Sequence, residues 1–241
     1  MDIVIFSSDS FMPRTNVCVE SCKQFLPEAT IHVVPFNNEV KGDYISGLAK
    51  ARLEYTKKLL DEGAERVMVL GADCVFYARP TEFLNTGGHV VLVPHVIDPP
   101  TQNGAQLYKT GHVNADLMLF TPRSHPILEW LISQDMKDDS TNGIFYEQTW
   151  LSALPFFFEG IGIYRGPEVN YAYFNFQERY LTKRYSASKG EEFYVDGIPL
   201  VMVQYSGFEV NNWYKLSKHF NGQVKNPLIL ELFHDYKERI K

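Results

Sequence analysis

The run Val67-Met-Val-Leu-Gly-Ala-Asp73 constrains this chain more than any other segment. Four apolar residues with no polar interruption suit a strand buried on both faces, which is a parallel-sheet position. A helical pattern precedes the run, and a lone carboxylate ends it. In open α/β sheets, ligands bind in the crevice beyond the carboxyl ends of strands. An acidic residue there can hold a divalent metal that in turn holds a diphosphate. On this segment alone, Asp73 serves equally well as a turn residue.

The surrounding pattern repeats the strand and helix alternation. Ile3 to Phe6 reads as a first buried strand, followed by the polar turn Ser7-Ser8-Asp9-Ser10. From Asn16 to Phe25 a helical stripe carries Val17, Cys18, Ser21, Cys22 and Phe25, and Pro27 marks its exit. Ile31 to Phe36 is a second strand. Ser46 is placed to cap a helix that runs to about Leu60 and closes at Gly63. This β-α-β-α-β opening predicts a largely parallel sheet with right-handed crossovers.

Beyond Pro80, Val90 to Pro94 reads as another buried strand and Asp98 to Gly104 as a loop. Leu117 to Phe120 is the next strand and Pro126 to Ser133 a helix. Asp135 to Asn142 is polar and expected to be exposed. A helix from Glu147 to Leu154 is expected to stop at Pro155. Short aromatic-rich strands follow, then a last helix from about Pro227 to Ile240. No repeat or interdomain linker interrupts the pattern, so residues 1–241 are expected to form one domain.

Composition removes several classes of function. Hydrophobic residues at 45% support a packed core, and a net charge of -6 opposes a dominant attraction to polyanions. No apolar run reaches bilayer length, and Met1 to Phe6 lacks a basic leader region. Three cysteines are too few for a disulfide framework, which points to a reducing cytoplasm. Cys18 and Cys22 stand four apart with no histidine pair, as packed thiols rather than a zinc site.

Several constellations have side chains suited to ligand chemistry, each beside a plainer structural role. Ser8 and Asp9 offer a hydroxyl and a carboxylate where a nucleoside could sit, or form an ordinary turn. Arg52 is a ligand cation or part of a solvated helix face. Asn114 and Asp116, just after Gly111, suit sugar hydroxyls or simply lead into a strand. Glu147 and Gln148 open a helix, where an acidic first turn is ordinary helix chemistry. Asn170-Tyr-Ala-Tyr-Phe-Asn175 suits sugar stacking and hydroxyl recognition, or an aromatic core strand. Lys218 and His219 place a cation and an imidazole together as a phosphate clamp or as surface. Neither a Walker nor a dinucleotide glycine loop is present, nor a Gly-x-Ser-x-Gly elbow or a His-Glu-x-x-His helix.

Taken in order along nearly the whole chain, these segments resemble bacterial GT-A glycosyltransferases of the family-8-like, sugar-nucleotide-dependent kind. The resemblance is clearest in Val91-Leu-Val-Pro-His95, Gly111-His-Val-Asn-Ala115 and Glu147-Gln-Thr-Trp150. It continues through Pro167 to Asn175, Glu178-Arg179, Tyr205-Ser-Gly-Phe208, Leu216-Ser-Lys-His219 and Leu232-Phe-His-Asp-Tyr236. It implies an α/β fold, a single Rossmann-like GT-A domain with a mixed, mostly parallel central sheet flanked by helices. Residues 1–80 would form the nucleotide-binding half and 81–241 the sugar and acceptor half.

The implied activity is transfer of a hexose or pentose from a nucleotide-diphosphate sugar, such as a UDP-sugar, to a hydroxyl acceptor. The resemblance assigns Ser8, Asp9, Arg52, Asp73, Asn114, Lys218 and His219 to the donor, and Glu147 and Gln148 to catalysis. Asp116 joins these two as a carboxylate that could orient a hydroxyl, act as a base or narrow the site against larger sugars. It assigns His95, Asn170 and Asn175 to the acceptor, and Asp73 with Gln204 to a divalent cation, Mn2+ or Mg2+. Three departures matter. Such enzymes usually carry Asp-x-Asp where this chain has Gly71 and Asp73, commonly a histidine where it has Gln204, and commonly a glycine where it has Asp116. The metal site is therefore expected to be weakened, dependent on the donor, or replaced by Lys218, His219 and Arg52. The acceptor is a glycan or, alternatively, a hydroxylated base in DNA. Another alternative is a degenerate protein that binds sugar nucleotides without transferring them.

Overall fold

The computed structural model describes residues 1–36, 44–99, 110–187, 190–220, 222, 224 and 226–240. Its first part holds strand β1 (Asp2–Ser7), helix α1 (Met12–Phe25), β2 (Thr30–Pro35), α2 (Tyr44–Asp61), β3 (Val67–Leu70) and β4 (Cys74–Phe76). Then come α3 (Thr81–Asn85), β5 (Val90–Pro94), β6 (Val113–Phe120), α4 (His125–Ile132), β7 (Asp138–Asp139), β8 (Ile144–Phe145) and α5 (Tyr146–Phe157). The rest comprises β9 (Ile161–Ile163), β10 (Leu181–Ser186), β11 (Gly190–Val195), β12 (Ile198–Pro199), β13 (Met202–Gln204) and α6 (Pro227–Arg239).

The central sheet has the order β2-β1-β3-β6-β5-β9. Five strands share one direction and β6 runs against both of its neighbours. Strand alternation explains the unbroken apolar runs. Val4, Val67, Val69 and Leu92 face a layer containing Leu53 of α2, Leu128 of α4 and Leu151 of α5. Ile3, Ile5, Met68, Leu70 and Val91 face the opposite layer with Cys18 and Cys22 of α1. Both sides are thus dry, and each such side chain contributes roughly 1.5–3 kcal/mol by burial. The three cysteines are buried and free, and burial pushes the Cys18 and Cys74 thiols up.

A third apolar cluster lies beside the antiparallel β10-β11-β12 sheet, where α6 packs through Leu232, Phe233 and Tyr236. Tyr236 stacks on Tyr205 with ring centroids 3.7 Å apart. The two parts of the molecule meet where β4 pairs with β13, setting Gln204 opposite Cys74. The backbone N–H of Tyr205 then donates to the carbonyl of Asp73 at 3.0 Å. This pairing carries the late segment 204–208 to the exit of β3.

Several boundaries differ from the sequence reading. Helix α1 begins at Met12, because Pro13 suits the first turn of a helix. Ser46 lies inside α2 rather than capping it. Strand β6 begins at Val113, so Asn114 and Asp116 belong to the strand itself. Helix α5 runs through Pro155 to Phe157, since the proline stands in its last turn, where few hydrogen bonds remain to be lost. The 135–142 stretch is not wholly exposed, since Met136 is buried. Of the expected loop at 98–104, residues 100–104 lie outside the described residues. Among the described residues, no helix is long and apolar enough to cross a membrane.

Candidate active site

The site grows from an irregularity in β6. Its pairing with β5 shifts register, Leu92 facing Met118 but Val93 facing Asn114. Bulges of this kind re-aim side chains and are common beside active sites. Asn114 holds the irregularity from within, its Oδ1 accepting the Asp116 backbone N–H at 2.6 Å. On the other side of the strand the Gly71 N–H donates to the Asp116 carbonyl at 2.9 Å.

Around this point a polar network closes. The Asn114 amide Nδ2 donates to Gln204 Oε1 at 2.7 Å, and Gln204 Nε2 donates to Asp116 Oδ2. Arg52 Nη1 donates to Asp116 Oδ1 at 3.0 Å and lies 3.9 Å from Glu147 Oε1. Helix α2 supplies the arginine, β6 the asparagine and aspartate, α5 the glutamate and β13 the glutamine. Asn114, Glu147 and Gln204 are buried, and such groups are tolerated because each finds a partner.

Two cavities meet at Asp116. The smaller, about 310 Å3, is lined by Ser7, Ser8 and Ser10, by Tyr44, Leu48 and Arg52 of α2, and by Asp73 and Asp116. The larger, about 740 Å3, is lined by His95, Asn114, Asp116, Gln148, Gln204, Ser206, Lys218 and His219 with the rings of Tyr173 and Phe174.

The electrostatics follow from burial and neighbouring charge. Burial, and then the negative charge of Asp116, push the Asp73 carboxyl up to about 7. Burial likewise raises Glu147, with Arg52 pulling the other way. For Arg52, burial favours loss of the proton, but the charges of Asp116 and Glu147 outweigh it and raise its pKa. His95 is held down to about 4 by burial, so its imidazole is neutral and its Nδ1–H donates to the Gly111 carbonyl at 3.1 Å. Burial and then the adjacent Lys218 charge lower His219.

Most of the residues marked in the sequence converge here, with three exceptions. Asp9 is exposed on the turn after β1, while Ser8 beside it faces the smaller cavity. Asn170 and Asn175 are fully buried and lie beneath the site rather than on it. Asn175 Nδ2 donates to the carbonyls of His95 and Asn170 at 3.0 and 2.8 Å, and Asn170 Nδ2 donates to that of Pro94 at 3.2 Å. Asn175 spends its whole amide on backbone, its Oδ1 accepting the Ala172 N–H at 2.9 Å, whereas Asn170 Oδ1 is buried without a partner, and both hold the 94–95 backbone from beneath.

Glycines shape the walls. Gly111 has φ +85°, and a Cβ there would lie 2.7 Å from the Gln148 carbonyl oxygen. At Gly207 a Cβ would meet Ser217 Oγ at 2.5 Å and His219 Cδ2 at 2.7 Å, so the missing side chain lets the Lys218–His219 turn settle against the site. Tyr44, Leu48 and Ser206 escaped the sequence reading. Nothing in a helix pattern says which turn will face a ligand cavity.

The donor set does not form a cage for Mn2+ or Mg2+, which call for several oxygen ligands. Gln204 Oε1 is taken by Asn114, and both Asp116 oxygens are taken by Arg52 and Gln204. Among the described residues, Asp73 makes no ion pair, and no three His, Cys, Asp or Glu side chains converge to hold a metal.

No family model and no curated protein matches this sequence. Solved structures do match. The galactosyltransferase LgtC, in a complex with donor and acceptor sugar analogues, aligns over 99% of this chain and 95% of its own, at 15% identity and TM-score 0.59. A glycosyltransferase involved in glycosylation of the major capsid of PBCV-1 aligns over 100% and 98%, at 11% identity and TM-score 0.54. The glycosyltransferase GlyE of Streptococcus pneumoniae TIGR4 aligns over 98% of this chain but 59% of GlyE, at 11% identity and TM-score 0.56.

The chain has the GT-A fold. In this GT-A domain the smaller cavity opens beyond the carboxyl ends of β1 and β3, where α/β sheets place their ligands. The antiparallel β6 then carries Asp116 from that crevice into the larger cavity.

Proposed function

We propose that this protein is a glycosyltransferase that moves a sugar from a nucleotide-diphosphate donor to a hydroxyl acceptor. The observation that carries this reading is the meeting of two cavities at one fixed carboxylate, Asp116. The smaller cavity has hydroxyls, an aromatic ring and Arg52, which suit a nucleoside and its first phosphate. The larger has amides, aromatic faces and the Lys218–His219 turn, which suit a sugar, an acceptor and the departing diphosphate. On this reading residues 1–80 supply most of the nucleoside site and residues 81–241 the sugar and acceptor sites.

In the transfer, the bond between the anomeric carbon and the phosphate oxygen breaks and the electron pair leaves with the diphosphate. The acceptor oxygen bonds to the anomeric carbon as its hydroxyl proton passes to the departing diphosphate oxygen. The chain lowers the barrier by holding the two reactants together and by placing fixed positive charge where the leaving group develops negative charge. Arg52 and Lys218 are the cations for that role. Asn114 and Gln148 orient the sugar hydroxyls, and His95, neutral and held by Asn175, faces the acceptor. Glu147 keeps Arg52 in place from beneath.

The test is thermal stability and turnover with UDP-, GDP- and dTDP-sugars. A ligand that binds only the folded form raises the melting temperature by mass action, about 2.7 kcal/mol at a hundred times its Kd. One donor class is expected to give such a shift and to release its nucleoside diphosphate when a suitable acceptor is added. No shift with any donor would remove the reading.

A further inference from the structure

Gly71 needs to be glycine for room, not for conformation. Its φ is not in the left-handed region. A Cβ built on it would lie 2.7 Å from both Cβ and Cγ of Asp116 and 2.9 Å from Oδ1. Real Cβ atoms do not approach that closely. The atoms it would strike are the root of the aspartate, which cannot swing aside as the tip of a long side chain can. Nor can the strands separate easily, because the Gly71 N–H is bonded to the Asp116 carbonyl. The gap between the exit of β3 and the first half of the antiparallel β6 therefore holds one carboxylate.

We infer that Gly71 and Asp116 are an exchange pair, in which the carboxylate beside Asp73 stands on 116 instead of 71, and that Arg52 rather than a divalent cation meets an anionic ligand there. Once on β6, the carboxylate comes within reach of Arg52 Nη1 at 3.0 Å and of the Gln204 amide. Gln204 turns its oxygen to Asn114 and its N–H to Asp116, so the amide is satisfied on both sides and, being neutral, adds no charge to hold a metal. A divalent cation on the remaining Asp73 carboxylate would lie beside the guanidinium with which it would compete for Asp116. The residues at 71, 116 and 204 thus describe one change, the replacement of an oxygen-lined metal seat by an internal ion pair. Arg52 is not saturated by the protein, since its Nε is buried without a hydrogen-bond partner. The identity of the anion, a sugar-nucleotide diphosphate, rests on the proposed function. The steric pairing does not.

The experiment moves the carboxylate back. Thermal melts are compared for wild type, Gly71→Ala, Gly71→Asp, Asp116→Gly and the two double variants with Asp116→Gly. Mn2+ alone is titrated by electron paramagnetic resonance, and donor binding is followed by calorimetry with EDTA or Mn2+. Gly71→Ala and Gly71→Asp are expected to lower the melting temperature in wild type but far less in the Asp116→Gly background. Wild type is expected to bind Mn2+ no more tightly than ~1 mM, a weak site by the range known for hard cations. Gly71→Asp/Asp116→Gly is expected to bind one Mn2+ at least about tenfold more tightly. EDTA is expected to leave wild-type donor affinity unchanged.

Equal effects of the Gly71 substitutions in both backgrounds would overturn the exchange pair. One tightly bound Mn2+ in wild type, lost in Asp116→Gly, would overturn the role given to Arg52. If no donor binds, the proposed function fails, and the melting and Mn2+ measurements still decide the pairing.

Discussion

Asp73→Asn should stabilise this protein above neutral pH, and the gain should fade as the solution becomes acid. Burial and the charge of Asp116 carry the Asp73 carboxyl from its ordinary 3.8 to about 7. A carboxyl whose folded-state pKa is raised contributes stability that is fully present below about pH 4 and is lost as the pH climbs to about 7. Asparagine has the same shape and no charge to lose. The gap between 3.8 and about 7, at about 1.4 kcal/mol per pH unit, sets a ceiling of about 4 kcal/mol. Asp73 opens onto a cavity, where solvent screens part of the penalty, so about 2 kcal/mol is the expected gain at pH 8. For a chain of 241 residues this corresponds to a melting temperature higher by roughly 4–8 °C. Circular-dichroism melts of both proteins between pH 4.5 and 8.5 measure it directly. The gap should widen steadily up to pH 7 and then level off. A gap independent of pH, or a wild type more stable than the variant at pH 8, would refute the reasoning. A carboxylate retained against such a cost is what a site selected for binding rather than stability displays.

Further outcomes follow from the same network. Arg52→Met strands the carboxylates of Asp116 and Glu147 and should cost about 3–5 kcal/mol in urea unfolding. Adding Asp116→Asn should recover part of that loss. Gly111→Ala places a methyl group against the Gln148 carbonyl at a positive φ and should cost about 1–3 kcal/mol, with a matching fall in turnover. His95, held down to about 4, should show no imidazole titration by NMR between pH 8 and 5.5. A midpoint near 6.5 would mean that the ring is not enclosed as described.

Parts of the site were legible because their chemistry is local. Asp73 could be placed at a strand exit, since Val67 to Leu70 can be dry on both sides only inside a sheet. Asn114, Asp116, Glu147, Gln148, Lys218 and His219 all stand at or next to the cavities, although their segments alone fitted a strand entry, a helix first turn or plain surface as well. Asn170 and Asn175 misled because an amide that binds a sugar and one that ties down a loop look the same in a sequence. Only their full burial, and for Asn175 its backbone partners, separate the two. Pro155 misled in another way, because the cost of a proline depends on how much helix remains beyond it.

The sequence by itself determined the layers, for periodicity is a property of neighbours along the chain. Runs such as Ile3 to Phe6 and Val90 to Pro94 specify strands, and the intervening helices specify a mostly parallel sheet. Only the tertiary structure decided what the departures mean. Gly71 and Gln204 read separately as losses from a metal site, and Asp116 as an added carboxylate suited to catalysis. Brought together by the β3–β6 and β4–β13 pairings, they become one arrangement in which Asp116 fills the space over Gly71 and is held by Arg52 and Gln204. Contact between residues separated by 45 and 88 positions depends on strand pairing and side-chain volume in three dimensions, and no local pattern encodes it.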